Sequence, residues 1–241
     1  MLSRHRLLPP AWVWALILAH TLIFSVLSVL KHSTFHSFTL DLGIMSQVTW
    51  NTAHGPMFET SLDRAIDTKL DGSYLGNHVR PIFLLLAPLH LLWPDSLNPI
   101  VRNWQSGVFS PVPYREQIDT ALAQIPPRAG VATINSFGSH LAHRRHLIEL
   151  DTYPLPLPPA HLQHVDYVLL DLVDCRAVLA PDQRAVYAEM VREVLDTPQF
   201  GVRYWSGRIL LLERGVPAGP ESDEVRAYVE RLVAERRPCW P

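Results

Sequence analysis

Residues 166–172 read DYVLLDL, a short apolar run bounded by polar residues, which is typical of a buried β-strand. On either side of it, further strands are predicted at 131–135, 147–150, 200–205 and 208–213, and helices at 114–124, 136–143, 180–195 and 221–237. A two-residue turn at Ser206-Gly207 is expected to join the last two strands into a hairpin. Strands that alternate with helices predict an α/β fold, a small layer domain that ends in an antiparallel hairpin.

The amino-terminal half of the chain is far less charged than this predicted domain. Residues 1–112 contain 13 of the 44 charged residues of the 241-residue sequence, whose net charge is −2. Proteins that bind the phosphate backbone are usually strongly basic, and this chain is not, so nucleic acid is not expected as a partner. No Walker A, GxGxxG, GxSxG or HExxH motif is present to support a nucleotide-binding, hydrolase or zincin assignment. The two cysteines, Cys175 and Cys239, do not have the spacing of a zinc site. One disulfide bond between them is possible.

Residues 11–30 form an uncharged, mostly apolar run that as a helix would span roughly the 30 Å of a bilayer core. Arg4 and Arg6 precede it, so the positive-inside rule predicts a cytoplasmic amino terminus. A cleaved signal peptide and a buried core helix are the alternatives. An uncleaved anchor is favoured because the run exceeds the ~7–15 residues of a signal peptide and no A-x-A cleavage site follows.

A second apolar stretch, PIFLLLAPLHLLWP at 81–94, is shorter and is interrupted by Pro88. Its length is typical of a re-entrant, interfacial or packed segment, although a helix that began near Leu75 could still cross. If 11–30 is the one crossing, everything after Lys31 lies outside the cell. A second crossing would return the carboxyl half to the cytoplasm.

These features predict five segments along the chain. They are an anchor (1–33), an external loop with a second hydrophobic helical segment (34–94), a linker rich in Pro, Asn and Ser (95–113), an extracytoplasmic α/β domain (114–215) and a charged C-terminal helix and tail (216–241). Within the loop, the stretch LDLGIMSQVTWNTAHG at 40–55 predicts a short helix that Gly55-Pro56 ends.

Three groups of residues are candidates for chemistry. Asp41, with His54 and His78 in the same loop, could act as a general base at the membrane boundary or help to hold a divalent cation. Alternatively, Asp41 could cap a helix that starts at Leu42. The second group is the histidine run His140, His143 and His146, which could bind a metal or form a solvated helix end. The third group is the three aspartates around the clearest strand, which could bind a metal or a sugar: Asp166, Asp171 and Asp174.

Two stretches resemble a known family. The stretch at 40–55 together with LGNHVRPIFLLLAPLHLLWP at 75–94 resembles the start of the domain of unknown function 2079 family, bacterial and archaeal polytopic membrane proteins in which FDLGIFDQ, WNTxHG and GDHFSPILLLLAPLY are typical. IPPRAGVATINSFGSHLAHRRHLIEL at 125–150 and DYVLLDL are similar to the family's extracytoplasmic carboxyl-terminal region. The resemblance covers about 34–94 and 114–215.

That family is similar in plan to membrane-embedded C-type glycosyltransferases, which use polyprenyl-phosphate sugars. The resemblance implies that Asp41 serves as base or metal partner, with His78 nearby. The chain departs from the family by lacking the membrane helices between the two stretches and by carrying Asn77 where an Asp is usual. One or two spans cannot form a lipid groove, so a partner membrane subunit is expected to complete it. The alternative is a non-catalytic anchored binding module or a degenerate remnant.

Overall fold

The computed structural model describes residues 10–34, 43–62, 72–74, 87–88, 112–150, 162–175 and 182–235. The helices among them are α1 (Ala11–Ser33), α2 (Ile44–His54), α3 (Arg115–Leu122), α4 (Asn135–Gly138), α5 (Gln183–Asp196) and α6 (Pro220–Ala234). The strands are β1 (Glu59–Thr60), β2 (Gly72–Ser73), β3 (Val131–Thr133), β4 (Leu147–Glu149), β5 (Tyr167–Asp171), β6 (Phe200–Trp205) and β7 (Ile209–Arg214).

Helix α1 is 23 residues long, and none of its residues is buried. Its large apolar side chains face outward, with Trp12 at 64% and Leu18 at 68% exposure. Exposed apolar surface of this extent is unfavourable in water, since its burial is worth about 25 cal/mol per Å². Within the described residues α1 is the one helix long and apolar enough to cross a membrane. The exposure shows that the core-helix alternative is wrong.

The central sheet has five strands in the order β4-β3-β5-β7-β6. Strands β4, β3 and β5 run parallel, with Val131 opposite both Leu147 and Tyr167. Strand β7 runs antiparallel to β5 and to β6. The structure therefore confirms the predicted α/β fold with its C-terminal antiparallel hairpin.

The core lies along the middle strands. Residues 168–170 of β5 and 209–212 of β7 are fully buried, as expected for strands that are covered on both faces. Helix α3 contacts β7, whereas α5 and α6 contact each other and β6. Val225, Val229 and Leu232 form the buried side of α6, which is therefore part of the packed domain.

Edge strand β4 is covered by the loop segment that follows α1. The Ser61 hydroxyl accepts a hydrogen bond from Leu147 N at 3.0 Å and donates to Leu147 O at 2.6 Å. The backbone N–H and C=O groups on a free sheet edge need hydrogen-bond partners, and the Ser61 hydroxyl bonds to both groups of Leu147. The segment 43–62 is thus folded onto the sheet.

Two predicted boundaries differ from the structure. Ser206 N donates to Ile209 O at 3.1 Å, so the turn residues are Gly207-Arg208, one position later than predicted. Gly207 has φ 79, a conformation that glycine adopts most readily. The helix predicted at 136–143 is the single turn α4, because Leu141 N bonds to Gly138 O, three residues back, and the chain leaves the helix.

The segment boundaries that fall on 63–71 and 95–111 lie outside the described residues and stay predictions. Of the second apolar stretch the structure describes residues 87–88, which are helical. The placement of 81–94 relative to the membrane therefore stays a prediction.

Candidate functional site

The two predicted catalytic residues, Asp41 and His78, lie outside the described residues. Helix α2 begins at Ile44, and its N-cap residue is Gly43, with no side-chain cap bond. Gly43 itself has helical backbone angles, so the alternative that Asp41 caps a helix starting at Leu42 also stays a prediction. The proposed role of Asp41 in chemistry stays a prediction.

His54, the third member of that group, is at the exposed last turn of α2. Its Nδ1 lies 2.8 Å from Trp50 O, and its ring stacks on the Trp50 indole with 4.3 Å between the ring centroids. Because a carbonyl oxygen only accepts hydrogen bonds, Nδ1 is the donor in this contact.

Helix α2 is fixed to the domain by buried polar contacts. Gln47 is fully buried; its amide nitrogen donates to Arg144 O at 3.1 Å, and its amide oxygen accepts from Ser61 N at 3.0 Å. The Ser46 hydroxyl lies 3.0 Å from His143 Nε2. Segment 43–62 and the α/β domain therefore form one packed unit.

The parallel strands have a topological switch point at the carboxyl ends of β3 and β5. The chain passes from β3 to β4 on one side and then returns to β5 on the other, and α/β sheets bind ligands at such a position. Ser136 follows β3 and Asp174 follows β5, and the serine hydroxyl donates to the carboxylate at 2.6 Å. We call Ser136, Asp171, Asp174, Arg184 and Arg208 the switch-point cluster.

An ion pair lies within the switch-point cluster. Arg208 Nε is 2.9 Å from both carboxylate oxygens of Asp171, whose side chain is 1% exposed. Burial raises the pKa of Asp171, while the charge of Arg208 acts in the opposite direction. The Arg208 guanidinium also lies 3.5 Å above the Tyr114 ring. These contacts hold the Asp171 and Arg208 side chains in a fixed geometry inside the protein.

Sequence reasoning found only part of this cluster. Asp171 and Asp174 come together as predicted, but Asp166 lies at the opposite end of β5, where it accepts from Gly130 N at 2.8 Å. The reasoning missed Ser136, Arg184 and Arg208, which belong to other elements. Arg184 donates to Leu172 O and Val173 O, 12 and 11 residues away. Only the strand order of the folded sheet could have indicated them.

The three histidines of the 140–146 run contact three different elements. His140 stacks on His32 at 4.1 Å between centroids, and His146 stacks on His164 at 5.0 Å. His143 contacts Ser46 on α2. Across the part of the chain that the structure describes, no group of three or more His, Cys, Asp or Glu side chains could hold a metal ion. The three histidines therefore do not come together as a triad.

The comparison with protein families decides the resemblance for the first part of the chain. Residues 31–110 match the family described as "Predicted membrane protein (DUF2079)". This match confirms the predicted resemblance over one third of the chain, including the LDLG, WNTAHG and GNHVRP motifs. No curated protein and no solved structure matches the chain. Together with the exposed helix α1, the match indicates membrane localisation.

Proposed function

We propose that this chain is a membrane-anchored, extracytoplasmic unit of a glycosyltransferase-like membrane assembly, in which a partner subunit supplies the remaining membrane helices. The observation that carries the proposal is the packing of α2, which lies in the family match, against the edge of the α/β sheet. The Gln47 and Ser61 hydrogen bonds join the motif-bearing loop to the domain. A loop fixed in this way can present its polar residues to a neighbouring membrane site.

The same packing supports one topology. Residues 43–62 precede the second apolar stretch and residues 112–150 follow it, yet the two parts are in hydrogen-bonding contact. Parts in contact lie on the same side of a membrane. Residues 43–62 and 112–150 are therefore placed in one compartment in the proposed topology. With a cytoplasmic amino terminus and α1 as a span, both parts lie outside the cell.

The state of Cys175 supports an extracytoplasmic domain. Cys175 is disulfide-bonded, and the sequence contains one other cysteine, Cys239, which lies outside the described residues. Disulfides persist in oxidising compartments such as the periplasm and the cell exterior and are rare in the cytosol. An oxidised Cys175 is consistent with a domain that has been exported.

The chemistry proposed for the assembly follows from the resemblance. Asp41 would take the proton from an acceptor hydroxyl while the hydroxyl oxygen bonds to the anomeric carbon of the donor sugar. The bond from that carbon to the lipid phosphate breaks, and polyprenyl phosphate leaves. His78 lies in the same loop and would position one of the two substrates; a divalent cation could serve the same site. The single described span α1 cannot enclose a lipid-linked donor by itself.

The test is sugar transfer from a labelled polyprenyl-phosphate sugar by the full chain, purified alone and within its native membranes. We expect no transfer by the isolated chain and transfer by the native membranes. Asp41→Asn should lower that rate about 10²–10⁴-fold, the usual contribution of a general base. Asp119→Asn, on the exposed face of α3, is the matched control.

The outcomes separate the alternatives. An unchanged rate in the Asp41→Asn membranes would remove the base role. Absence of transfer in native membranes would favour the non-catalytic binding module.

A further inference from the structure

The last turn of α1 is joined to the α/β domain by two contacts. The His32 ring stacks on the His140 ring, with 4.1 Å between the centroids and 11° between the ring planes. Arg115 donates from Nη1 to Ser33 O at 2.8 Å. We call these four residues the joint. Because Arg115 begins α3 and His140 follows α4, two different elements of the domain hold the end of the apolar helix.

The ionisable side chains of the joint are all basic. Arg115 carries a fixed positive charge, and each histidine gains one when it is protonated. The other charged side chains close to the joint on α1 and α3 are Lys31, Glu116 and Asp119. Asp119 pairs with Arg115 at 3.3 Å, but both side chains are exposed and water screens the pair. Neutral rings can therefore stack beside Arg115, whereas protonated rings repel Arg115 and each other.

Protons favour the open form of the joint. While α1 is in place, burial and then the charges of His32 and Arg115 hold the pKa of His140 well below its ordinary value of 6.5. Separation of α1 from the domain removes His32 and exposes the His140 ring to water, so its pKa returns toward that value. The form that binds the proton more tightly is favoured as pH falls. Between the two pKa values, the ratio of open to closed molecules therefore rises by up to about tenfold per pH unit.

We infer that the joint is an acid-sensitive coupling between the membrane helix and the α/β domain. At neutral pH it is closed and holds the domain in one orientation relative to α1; in acid it opens and the domain turns freely. Clustered histidines switch interfaces in other pH sensors in the same way. The inference rests on the proposed insertion of α1 and adds a form of regulation to it. Segment 43–62 is packed on the domain and moves with it, so acid would withdraw this segment from a neighbouring membrane site.

The test measures distances in the full chain, reconstituted in phosphatidylcholine vesicles, by double electron–electron resonance. Nitroxide labels are attached at Val26→Cys on α1 and Thr120→Cys on α3, two exposed positions on either side of the joint. A second pair, Thr120→Cys with Glu224→Cys on α6, lies wholly within the domain and is the matched control. Cys175 is disulfide-bonded and does not compete for the label. Extraction with sodium carbonate independently reports whether α1 is inserted.

We expect a narrow distance distribution between positions 26 and 120 at pH 7.5 and a broad one at pH 5.5. The distribution between positions 120 and 224 should stay narrow at both pH values. A narrow 26–120 distribution at both pH values in a carbonate-resistant chain would overturn the inference while leaving the anchor intact. Broadening of both pairs in acid would mean that the domain unfolds, and would also overturn it. Release by carbonate would overturn the proposed membrane insertion and this inference with it.

Two variants assign the effect to the stacked rings. His140→Phe and His32→Phe each keep a ring in the stack and remove one titrating group, so either should reduce the broadening at pH 5.5. His54→Phe, at the exposed end of α2, should behave like the unchanged chain. Equal broadening in acid in all three variants would show that the histidines of the joint do not control its opening.

Discussion

Gln47 connects the family loop to the sheet with a single buried amide. It donates to the Ser61 hydroxyl and Arg144 O and accepts from the Thr60 hydroxyl and Ser61 N, at distances of 2.8–3.1 Å. Gln47→Ala would leave several buried groups without partners, at about 1–3 kcal/mol for each group that water cannot reach. We expect the free energy of unfolding to fall by roughly 3 kcal/mol in a denaturant titration.

The control for this change is Gln124→Ala. Gln124 lies just past the end of α3, and its amide donates to Thr120 O in an exposed hydrogen bond. Its loss should change stability by less than about 0.5 kcal/mol. Equal effects of the two substitutions would show that α2 is not held by Gln47.

The Asp171–Arg208 pair gives a second prediction. Arg208→Met removes the cation beside a carboxylate that is 1% exposed, and a broken buried pair typically costs about 3–5 kcal/mol. Adding Asp171→Asn removes the uncompensated charge, so the double variant should recover part of the loss. Arg203→Ala, at an exposed pair with Glu213, should cost less than about 1 kcal/mol. Thermal unfolding of the four proteins measures these differences.

The lowered pKa of His140 predicts how the free energy of unfolding depends on pH. Burial, and then the charges of His32 and Arg115, lower the pKa of His140 in the folded protein. Below the unfolded-state pKa near 6.5 the unfolded chain therefore binds a proton that the folded chain does not. Stability should fall as pH drops through this range, by up to about 1.4 kcal/mol per pH unit, until the folded-state pKa is reached.

The variant for this prediction is His140→Phe, which keeps a ring against His32 and removes the titrating group. Its unfolding curves between pH 7 and pH 5 should lose less stability than those of the unchanged protein. His54→Phe, at the exposed end of α2, should leave the pH dependence in place. Parallel pH profiles for the parent chain and His140→Phe would contradict the prediction.

At the scale of elements, local patterns predicted most of the fold. The alternation of strands and helices gave the α/β class, because buried strands and amphipathic helices have distinct periods in the sequence. The short helix of the loop was found because Gly55-Pro56 ends it. What the patterns could not give was the contact between elements: the bonds from α2 to residues 143–145, just before β4, join positions 97 and 98 residues apart.

The candidate site shows the same limit. Asp171 and Asp174 could be identified because acidic residues at the end of a strand are visible in the sequence. Arg208 could not, since it reaches Asp171 from 37 residues away through the hairpin that β7 forms beside β5. Asp166 was grouped with them by proximity in sequence, but it stands at the other end of the same strand, a full strand length away.

The close approach of β3 to β5 depends on a glycine. Gly130 precedes β3, and a Cβ at this position would lie 1.8 Å from His164 O, a backbone atom. Gly130→Ala must therefore push the two segments apart, and overpacking of this kind costs about 3 kcal/mol or prevents folding. Gly219→Ala, where a Cβ would meet nothing within 4 Å, should cost less than about 1 kcal/mol. Yield of folded protein and thermal unfolding compare the two.

At the scale of the whole molecule, the contacts of residues 43–62 with 143–147 constrain the proposed topology. Hydrogen bonds cannot span the thickness of a bilayer. These two parts of the chain therefore share one compartment, which in the proposed topology is the outside of the cell.

Reporter fusions measure this constraint directly. Alkaline phosphatase fused after residue 62 and at residue 241 should be active in both cases, because both positions follow parts of the chain that contact each other and the enzyme folds only outside the cytoplasm. Green fluorescent protein at the same two positions should be dark, whereas its fusion to the amino terminus, the control, should fluoresce. Phosphatase activity after residue 62 combined with green fluorescence at residue 241 would put the two parts on opposite sides of the membrane. That result cannot be reconciled with Gln47 bonded to Arg144 O and Ser61 bonded to Leu147, because those contacts require both parts of the chain to share one compartment.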